Sequence, residues 1–250
     1  GILVRFVGKI NKTNKARYLN TPKIDVIIPA FNEADSIGLV LRDIPPGVVR
    51  EVIVCDNGST DHTAIVAEAA GAVVLHQPKK GYGNACLKGI HYLQGKPKVL
   101  QPDIVVFLDG DYSDYPDEIE FLLQPLLYEG VDMVVGSRVL GIVEPGAMQP
   151  HQIFGNRLAA ALISWLYGYR FTDLGPFRAI RWPKLLELDM QDKNFGWTVE
   201  MQVKAAKKRF SCREIAVSYR KRIGVSKVSG TIKGSIGAGY KILWTIFKHL

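Results

Sequence analysis

The sequence predicts an α/β domain, a mostly parallel central sheet with helices on both faces, and three observations carry that prediction. Short β-rich runs alternate with helix-spaced segments from Ile24 to Gly136, the pattern of successive β-to-α units. Several of those runs are apolar almost throughout, as strands covered on both faces are. The chain has 250 residues, 47% hydrophobic and 22% charged, which is an ordinary globular balance and enough for a sizeable core.

Ile24-Asp25-Val26-Ile27-Ile28-Pro29 reads as a buried strand, and 33–43 carries helix spacing through Ile37, Val40 and Leu41. Glu51–Asp56 is the second strand. Asn57-Gly58-Ser59-Thr60 is turn chemistry, with Thr60 or Asp61 placed to cap a helix over 61–70. Ala72–His76 is a third strand, followed by a glycine-bearing turn and a helix near 82–94. Asp103–Leu108 is a fourth strand, Pro116–Tyr128 a helix with Pro in its first turn, and Val131–Gly136 a fifth strand. Arg138–Pro150, punctuated by Gly and Pro, reads as a mobile loop. An apolar helix follows at 153–167, which suits the core or a contact between copies of the chain. Then come a turn at Asp173–Pro176, a helix at 198–208 and a strand over Ser211–Arg220. The expected organisation is a basic arm over 1–23, one domain over 24–230 with halves at 24–137 and 138–230, and a C-terminal amphipathic helix over 231–250.

The formal net charge is +8, from 32 Lys+Arg against 24 Asp+Glu. The excess lies at the ends: residues 1–23 contain no acid, and 201–250 contain Glu214 alone. Such a balance suits phosphate-rich substrates, nucleic acid or anionic membranes. The three cysteines show no C-x-x-C spacing, so neither a disulfide framework nor a zinc site is expected. No apolar run is long enough to span a bilayer.

In an open parallel sheet, ligands bind beyond the carboxyl ends of the strands. Three polar groups fall there: Pro29-Ala30-Phe31-Asn32-Glu33, Asp56-Asn57-Gly58-Ser59 and Asp109-Gly110-Asp111. Two acids one residue apart, after an apolar strand, can direct carboxylates at a hard cation such as Mg²⁺ or Mn²⁺. Lys79-Lys80-Gly81-Tyr82-Gly83 lacks the spacing of a phosphate-binding Walker loop and reads as a turn shaping the same pocket.

The ordered series V-I-I-P-A-F-N-E, V-C-D-N-G-S-T-D, G-Y-G-N-A, F-L-D-G-D-Y-S-D and V-V-G-S-R resembles the inverting family 2 glycosyltransferases, which have the nucleotide-diphospho-sugar transferase (GT-A) fold. More narrowly, it is similar to the polyprenyl-phosphate (dolichol-phosphate) mannose and glucose synthases. D-L-G-P-F-R-A-I at 173–180, W-T-V-E at 197–200 and R-I-G-V-S-K at 222–227 continue the match. The chain departs from the usual D-A-D at Gly110, and D-L-G-P-F-R replaces the more usual D-x-T-S-G-F-R. Ser113 in place of a stronger ligand leaves the metal with two protein carboxylates.

The resemblance implies that Pro29, Phe31 and Glu33 border the nucleotide and that Asp56 hydrogen-bonds its base. Asp109 and Asp111, flanking Gly110, would approach the diphosphate through the metal. Arg138, Arg222 and Lys227 would meet phosphate oxygens. Asp173 would stand near the reacting centre, which makes Asp173, Asp111 and Arg138 the catalytic set. It further implies a GDP-mannose or UDP-glucose donor, a polyprenyl phosphate acceptor and a peripheral position at the cytoplasmic membrane face.

Two other readings compete. A glycan or small-molecule hydroxyl acceptor would make Asp173 or Glu200 a general base. A basic membrane- or nucleic-acid-binding protein with a degenerate site conflicts with the intact acids Glu33, Asp56, Asp109 and Asp111, and no nucleic-acid module is recognisable. The C-terminal helix, with Ile232, Ile236, Leu243, Phe247 and Leu250 on one face, reads equally as interfacial or as packed on the domain.

Overall fold

A computed structural model describes residues 21–224 and 232–249. The N-terminal arm as far as residue 20 and the expected phosphate ligand Lys227 lie outside the described residues. Among the described residues seven strands form one sheet: β1 (Ile24–Ala30), β2 (Glu51–Asp56), β3 (Val73–His76), β4 (Ile104–Phe107), β5 (Met133–Ser137), β6 (Arg178–Arg181) and β7 (Cys212–Ala216). Their order across the sheet is β3-β2-β1-β4-β6-β5-β7. β1 pairs in parallel with β2 on one side and β4 on the other. The chain therefore reverses direction across the sheet at β1/β4, and a crevice opens beyond their carboxyl ends.

Among the described residues eight α-helices surround the sheet: α1 (Ile37–Asp43), α2 (Thr63–Ala69), α3 (Tyr82–Gln94), α4 (Ile119–Gln124), α5 (Pro150–Tyr167), α6 (Trp182–Leu188), α7 (Trp197–Lys207) and α8 (Ile232–Lys248), the last packed on α5 and α7. Every residue of β1 is buried, because each face of the sheet carries its own apolar layer. Ile27, Ile53, Val105 and Phe107 pack on one side with Leu93 of α3 and Trp197 of α7. Val26, Ile28, Val54 and Val106 pack on the other with Ile37 of α1 and Leu122 of α4. α3 lies hard against β1 at Gly89, where an added Cβ would stand 2.9 Å from Ile27.

The parallel sheet and its strands follow the sequence prediction, with three differences. β6 is antiparallel to both β4 and β5 and, with α6, is not evident in the sequence. The helix expected over Pro116–Tyr128 is a 3₁₀ turn, α4 and a π turn over Pro125–Glu129, since Pro125 has no N–H for a continuous ladder. The segment after β5, expected to be a mobile loop, is tied down. Glu144 N donates to Tyr219 O (2.8 Å), Tyr219 N donates to Ile142 O (2.8 Å), and a Cβ on Gly141 would overlap the Val217 carbonyl.

α8 is packed on the domain through Ile246, which is fully buried, and Tyr167 Oη of α5 donates to the Ile246 carbonyl. Tyr240, Trp244 and Phe247 face outward. No helix among the described residues is long and apolar enough to cross a membrane.

Candidate active site

A cleft of about 290 Å³ opens at the β1/β4 crevice. Pro29, Phe31, Glu33, Asn57, Lys80, Gly81, Tyr82, Asp109, Gly110, Asp111, Phe195 and Arg222 border it. Of the residues singled out in the sequence, Pro29, Phe31, Glu33, Asp109, Gly110, Asp111 and Arg222 are thus brought together.

The loops after β1 and β2 are interwoven. Asn32 N donates to Ser59 Oγ (2.9 Å), Thr60 N to Asn32 Oδ1 (2.8 Å), and Glu33 N to Thr63 Oγ1 (2.8 Å). Asn32 has φ +54°, a left-handed conformation that asparagine tolerates. Asp61 accepts from Thr63 N (3.0 Å) in the turn ahead of α2, whose N-cap is His62 without a side-chain cap bond, so neither Thr60 nor Asp61 takes the capping place the sequence suggested. Asn57 fixes the turn before α3, donating to Gln77 O (3.0 Å) and Lys79 O (2.7 Å) and accepting from Gly81 N (2.7 Å). Lys80 Nζ lies 3.6 Å from the centre of the Phe31 ring, a cation–π contact at the mouth of the cleft. Asp56 is buried behind this wall, accepting from Ser59 N (3.1 Å) with His76 Nδ1 at 3.3 Å.

On the floor, Asp109 accepts a hydrogen bond from Tyr82 Oη (2.9 Å). Asp111 Oδ1 accepts from Ser113 N (2.9 Å) and Ser113 Oγ (2.5 Å), so that hydroxyl is already committed to the carboxylate. Burial and the adjacent Asp111 carboxylate push Asp109 up to about 7, against the opposing pull of Tyr82, Arg222 and Arg138. Arg222 Nη2 is 3.1 Å from both Glu33 Oε1 and Asp111 Oδ2, bridging them as a cation would. Its Nε is buried without a partner.

The turn is held under strain. Tyr112 follows Asp111 at φ +64°, which is unfavourable for a bulky side chain. It is pinned by Arg220, whose guanidinium lies 3.3 Å from the ring centre and whose Nε donates to Tyr112 O (2.7 Å). Asp114, which the sequence reading did not single out, is buried with both carboxylate oxygens unpartnered. Burial and the charges of Asp109 and Asp111 raise its pKa well above the ordinary value.

Asp173 and Arg138 are found together, away from the cleft wall. Arg138 Nε (2.8 Å), Nη2 (2.7 Å) and backbone N (2.8 Å) all donate to the Asp173 carboxylate, which has no exposed surface. Burial alone would raise Asp173, but the Arg138 guanidinium outweighs it and holds the carboxyl below its ordinary range. Glu200 is likewise occupied, accepting from Gln191 N (3.0 Å) and Asp192 N (2.7 Å) with Lys204 Nζ at 2.7 Å. Phe195, the far wall of the cleft, is a residue that sequence reasoning missed. It reaches the site through tertiary packing of the 189–196 loop on the Gly81–Gly83 turn, where Asn84 N donates to Lys193 O (3.0 Å).

The chain is similar to known proteins in sequence and in fold. A family model described as Glycosyl transferase family 2 matches residues 25–196. The chain is 34% identical over 220 residues to a protein of Mycobacterium tuberculosis named as a glycosyltransferase, covering 85% of this chain and 93% of that one. It is 32% identical to a dolichyl-phosphate hexose transferase of Haloferax volcanii, covering 81% of this chain and 85% of the relative. The crystal structure of glucosyl-3-phosphoglycerate synthase from M. tuberculosis with Mn²⁺, UDP and phosphoglyceric acid shares the fold. Its TM-score is 0.70 at 23% identity, over 91% of this chain and 78% of that chain.

Proposed function

The chain belongs to glycosyl transferase family 2, and within that family we propose that it transfers a hexose, mannose or glucose, from a nucleoside-diphosphate sugar to a polyprenyl phosphate. What favours a phosphate acceptor is the state of Asp173 and Glu200, the two carboxylates either of which could serve as base for a hydroxyl acceptor. A hydroxyl must lose a proton to attack, and each carboxylate is buried and consumed by cationic and backbone partners. An acceptor phosphate is already anionic and needs alignment and charge screening. The name of the Haloferax relative agrees with this chemistry.

In this reading the nucleotide lies against Pro29, Phe31 and Lys80, with the diphosphate over Asp109 and Asp111. Asp109 and Asp111 fit a divalent ion, Mg²⁺ or Mn²⁺. They are crowded enough to raise the Asp109 pKa, and a guanidinium already neutralises Asp111. No third His, Cys, Asp or Glu joins them among the described residues. Diphosphate and water would complete the shell. When bound, the ion would stabilise the leaving diphosphate. An acceptor phosphate oxygen attacks the anomeric carbon from the face opposite the diphosphate. The sugar–diphosphate bond breaks, the nucleoside diphosphate leaves, and the configuration inverts. Arg222 is placed to exchange Glu33 and Asp111 for phosphate oxygens, for which its planar fork suits it. Arg138 is held rigid by Asp173 as a fixed positive charge beside the β5 end. Peripheral attachment at the cytoplasmic membrane face, through the outward side of α8, would bring the lipid acceptor to the site.

The test combines thermal shift with transfer assays. GDP-mannose and UDP-glucose are titrated with and without Mn²⁺, then labelled sugar transfer is measured to a polyprenyl phosphate and to hydroxyl acceptors. A metal-dependent shift with one donor and transfer to the phosphate alone are expected. A ligand at a hundred times its Kd adds roughly 2.7 kcal/mol, enough to see. Transfer to hydroxyls alone would overturn the acceptor assignment.

A further inference from the structure

The wall of the cleft opposite β1 is a loop, 189–196, held on one side by α7 and α8 and on the other by the turn before α3. Phe195 is the loop residue that borders the cleft. Two residues of α8 touch the loop's frame. Lys241 Nζ is 2.9 Å from Asp192 Oδ2, and Asp192 is nearly buried. The other oxygen of Asp192 accepts from Asn194 N (2.7 Å) and Gly196 N (3.2 Å), closing the loop on itself on either side of Phe195. Thr245, also buried, packs so closely on Gly196 that an added Cβ would lie 2.4 Å from Thr245 Oγ1. That hydroxyl donates back to Lys241 O (2.8 Å), which fixes its rotamer. Glu200 of α7 takes the backbone N–H groups of Gln191 and Asp192.

On its other side the loop meets the turn that shapes the donor pocket. A Cβ on Gly81 or Gly83 would lie 2.2 Å from Lys193 O or 2.0 Å from Asp192 O. The loop backbone therefore has no room to shift without moving that turn.

We propose that Lys241 is a positioning residue for the donor site. By pairing with Asp192, it and α8 hold the 189–196 loop so that Phe195 forms the far wall against the bound nucleotide sugar. The inference rests on the reading of the cleft as a nucleotide-sugar site. Lys241 itself touches no substrate. Its contribution is to remove the loop's freedom before the donor arrives, so its loss is paid at donor binding and leaves the transfer step largely intact.

The experiment measures the affinity of UDP and GDP with Mn²⁺ by calorimetry, and the donor KM and kcat, for wild type, Lys241→Ala, Lys241→Arg, Phe195→Ala and the Lys241→Ala/Phe195→Ala double variant. Hydrogen exchange of 189–196 is followed in the same proteins. Lys241→Ala is expected to weaken nucleotide binding and raise KM at least about fivefold, the lower end of ordinary site-to-site coupling, with kcat changed less. Exchange in the loop should quicken, and Lys241→Arg should restore most of the affinity. Phe195→Ala should weaken binding without touching α8, and the double variant should lose little beyond it, since both act through one wall. Equal nucleotide affinity in wild type and Lys241→Ala overturns the proposal. So does full additivity of the two single variants, or an equal fall in kcat with KM unmoved. A wild-type protein that binds neither nucleotide removes the donor-site reading itself, and the inference falls with it.

Discussion

At Asp109, a carboxyl buried beside a second carboxylate resists ionisation, so its pKa rises from 3.8 to about 7. A carboxyl with a raised folded pKa stabilises the fold below its unfolded value and loses that contribution as pH climbs through the folded value. In metal-free protein this loss falls between about pH 4 and pH 7. Asp109→Asn removes the titration. Without metal, the variant should melt above wild type at pH 8 and close to it at pH 4 to 5, each recovered kcal/mol being worth roughly 2–4 °C. A constant difference across that range in calorimetric scans would count against the assignment. The same substitution should abolish the Mn²⁺-dependent shift with donor.

Asp173 behaves oppositely: its contribution is present at neutral pH and disappears only as pH falls through its lowered pKa. Asp173→Asn strands the Arg138 guanidinium. Breaking such a buried pair costs about 3–5 kcal/mol, read as a lower denaturant midpoint. Activity on phosphate acceptors should fall without vanishing, because in the proposed reaction the carboxylate positions a charge and abstracts no proton.

At the scale of elements, the Gly81–Gly83 turn and the 189–196 loop are two pieces of backbone in contact. Gly83→Ala would set a methyl 2.0 Å from the Asp192 carbonyl, an overlap that backbone cannot relieve by a rotamer change. The cost expected is about 1–3 kcal/mol, together with a clear rise in donor KM. Gly110→Ala, by contrast, meets side-chain carbons at 3.5 Å or more and should bind donor almost as wild type does. Side-by-side kinetics of these two variants distinguish a glycine needed for space from one that is not.

The same contrast marks how far the sequence could be read. β1, β2 and β4 are legible because burial on both faces writes continuous apolar runs, and Asp109–Asp111 is legible because it follows one of them. β6 is not, since Arg-Ala-Ile-Arg is short and charged. Arg178 is buried only because Thr198 O (3.0 Å), Gly175 O and Gln202 Oε1 receive its guanidinium. Burial lowers its pKa to about 10. Phe195 carries no local signal either, because its place in the cleft depends on a loop-to-turn contact more than a hundred positions apart in sequence. Asp114 lay within the D-G-D-Y-S-D run, and its burial without a partner is a tertiary fact that no spacing encodes.

At the scale of the molecule, α8 is apolar on more than the side that packs. Ile246 faces the core, while Trp244 and Tyr240 are more than half exposed. α5, packed beside it, adds outward Phe154 and Trp165. These aromatics sit on a chain of net charge +8, a combination that suits an anionic lipid interface, where aromatic rings enter the headgroup boundary and basic residues add electrostatic attraction. The peripheral attachment proposed above makes a definite prediction. The protein should bind vesicles containing anionic lipid more tightly than neutral ones, with a blue shift in tryptophan emission, and the electrostatic share should weaken as salt shortens the Debye length. Fully burying one large apolar side chain is worth about 1.5–3 kcal/mol. Trp244→Ser should therefore lower vesicle partitioning by roughly tenfold, while nucleotide binding, which the proposal above couples to α8 only through the Lys241–Asp192 pair, should stay near wild type. Partitioning unchanged in Trp244→Ser and in Phe247→Ser would remove α8 from the lipid contact. A variant that lost nucleotide affinity together with vesicle binding would show instead that the outward face of α8 supports the fold.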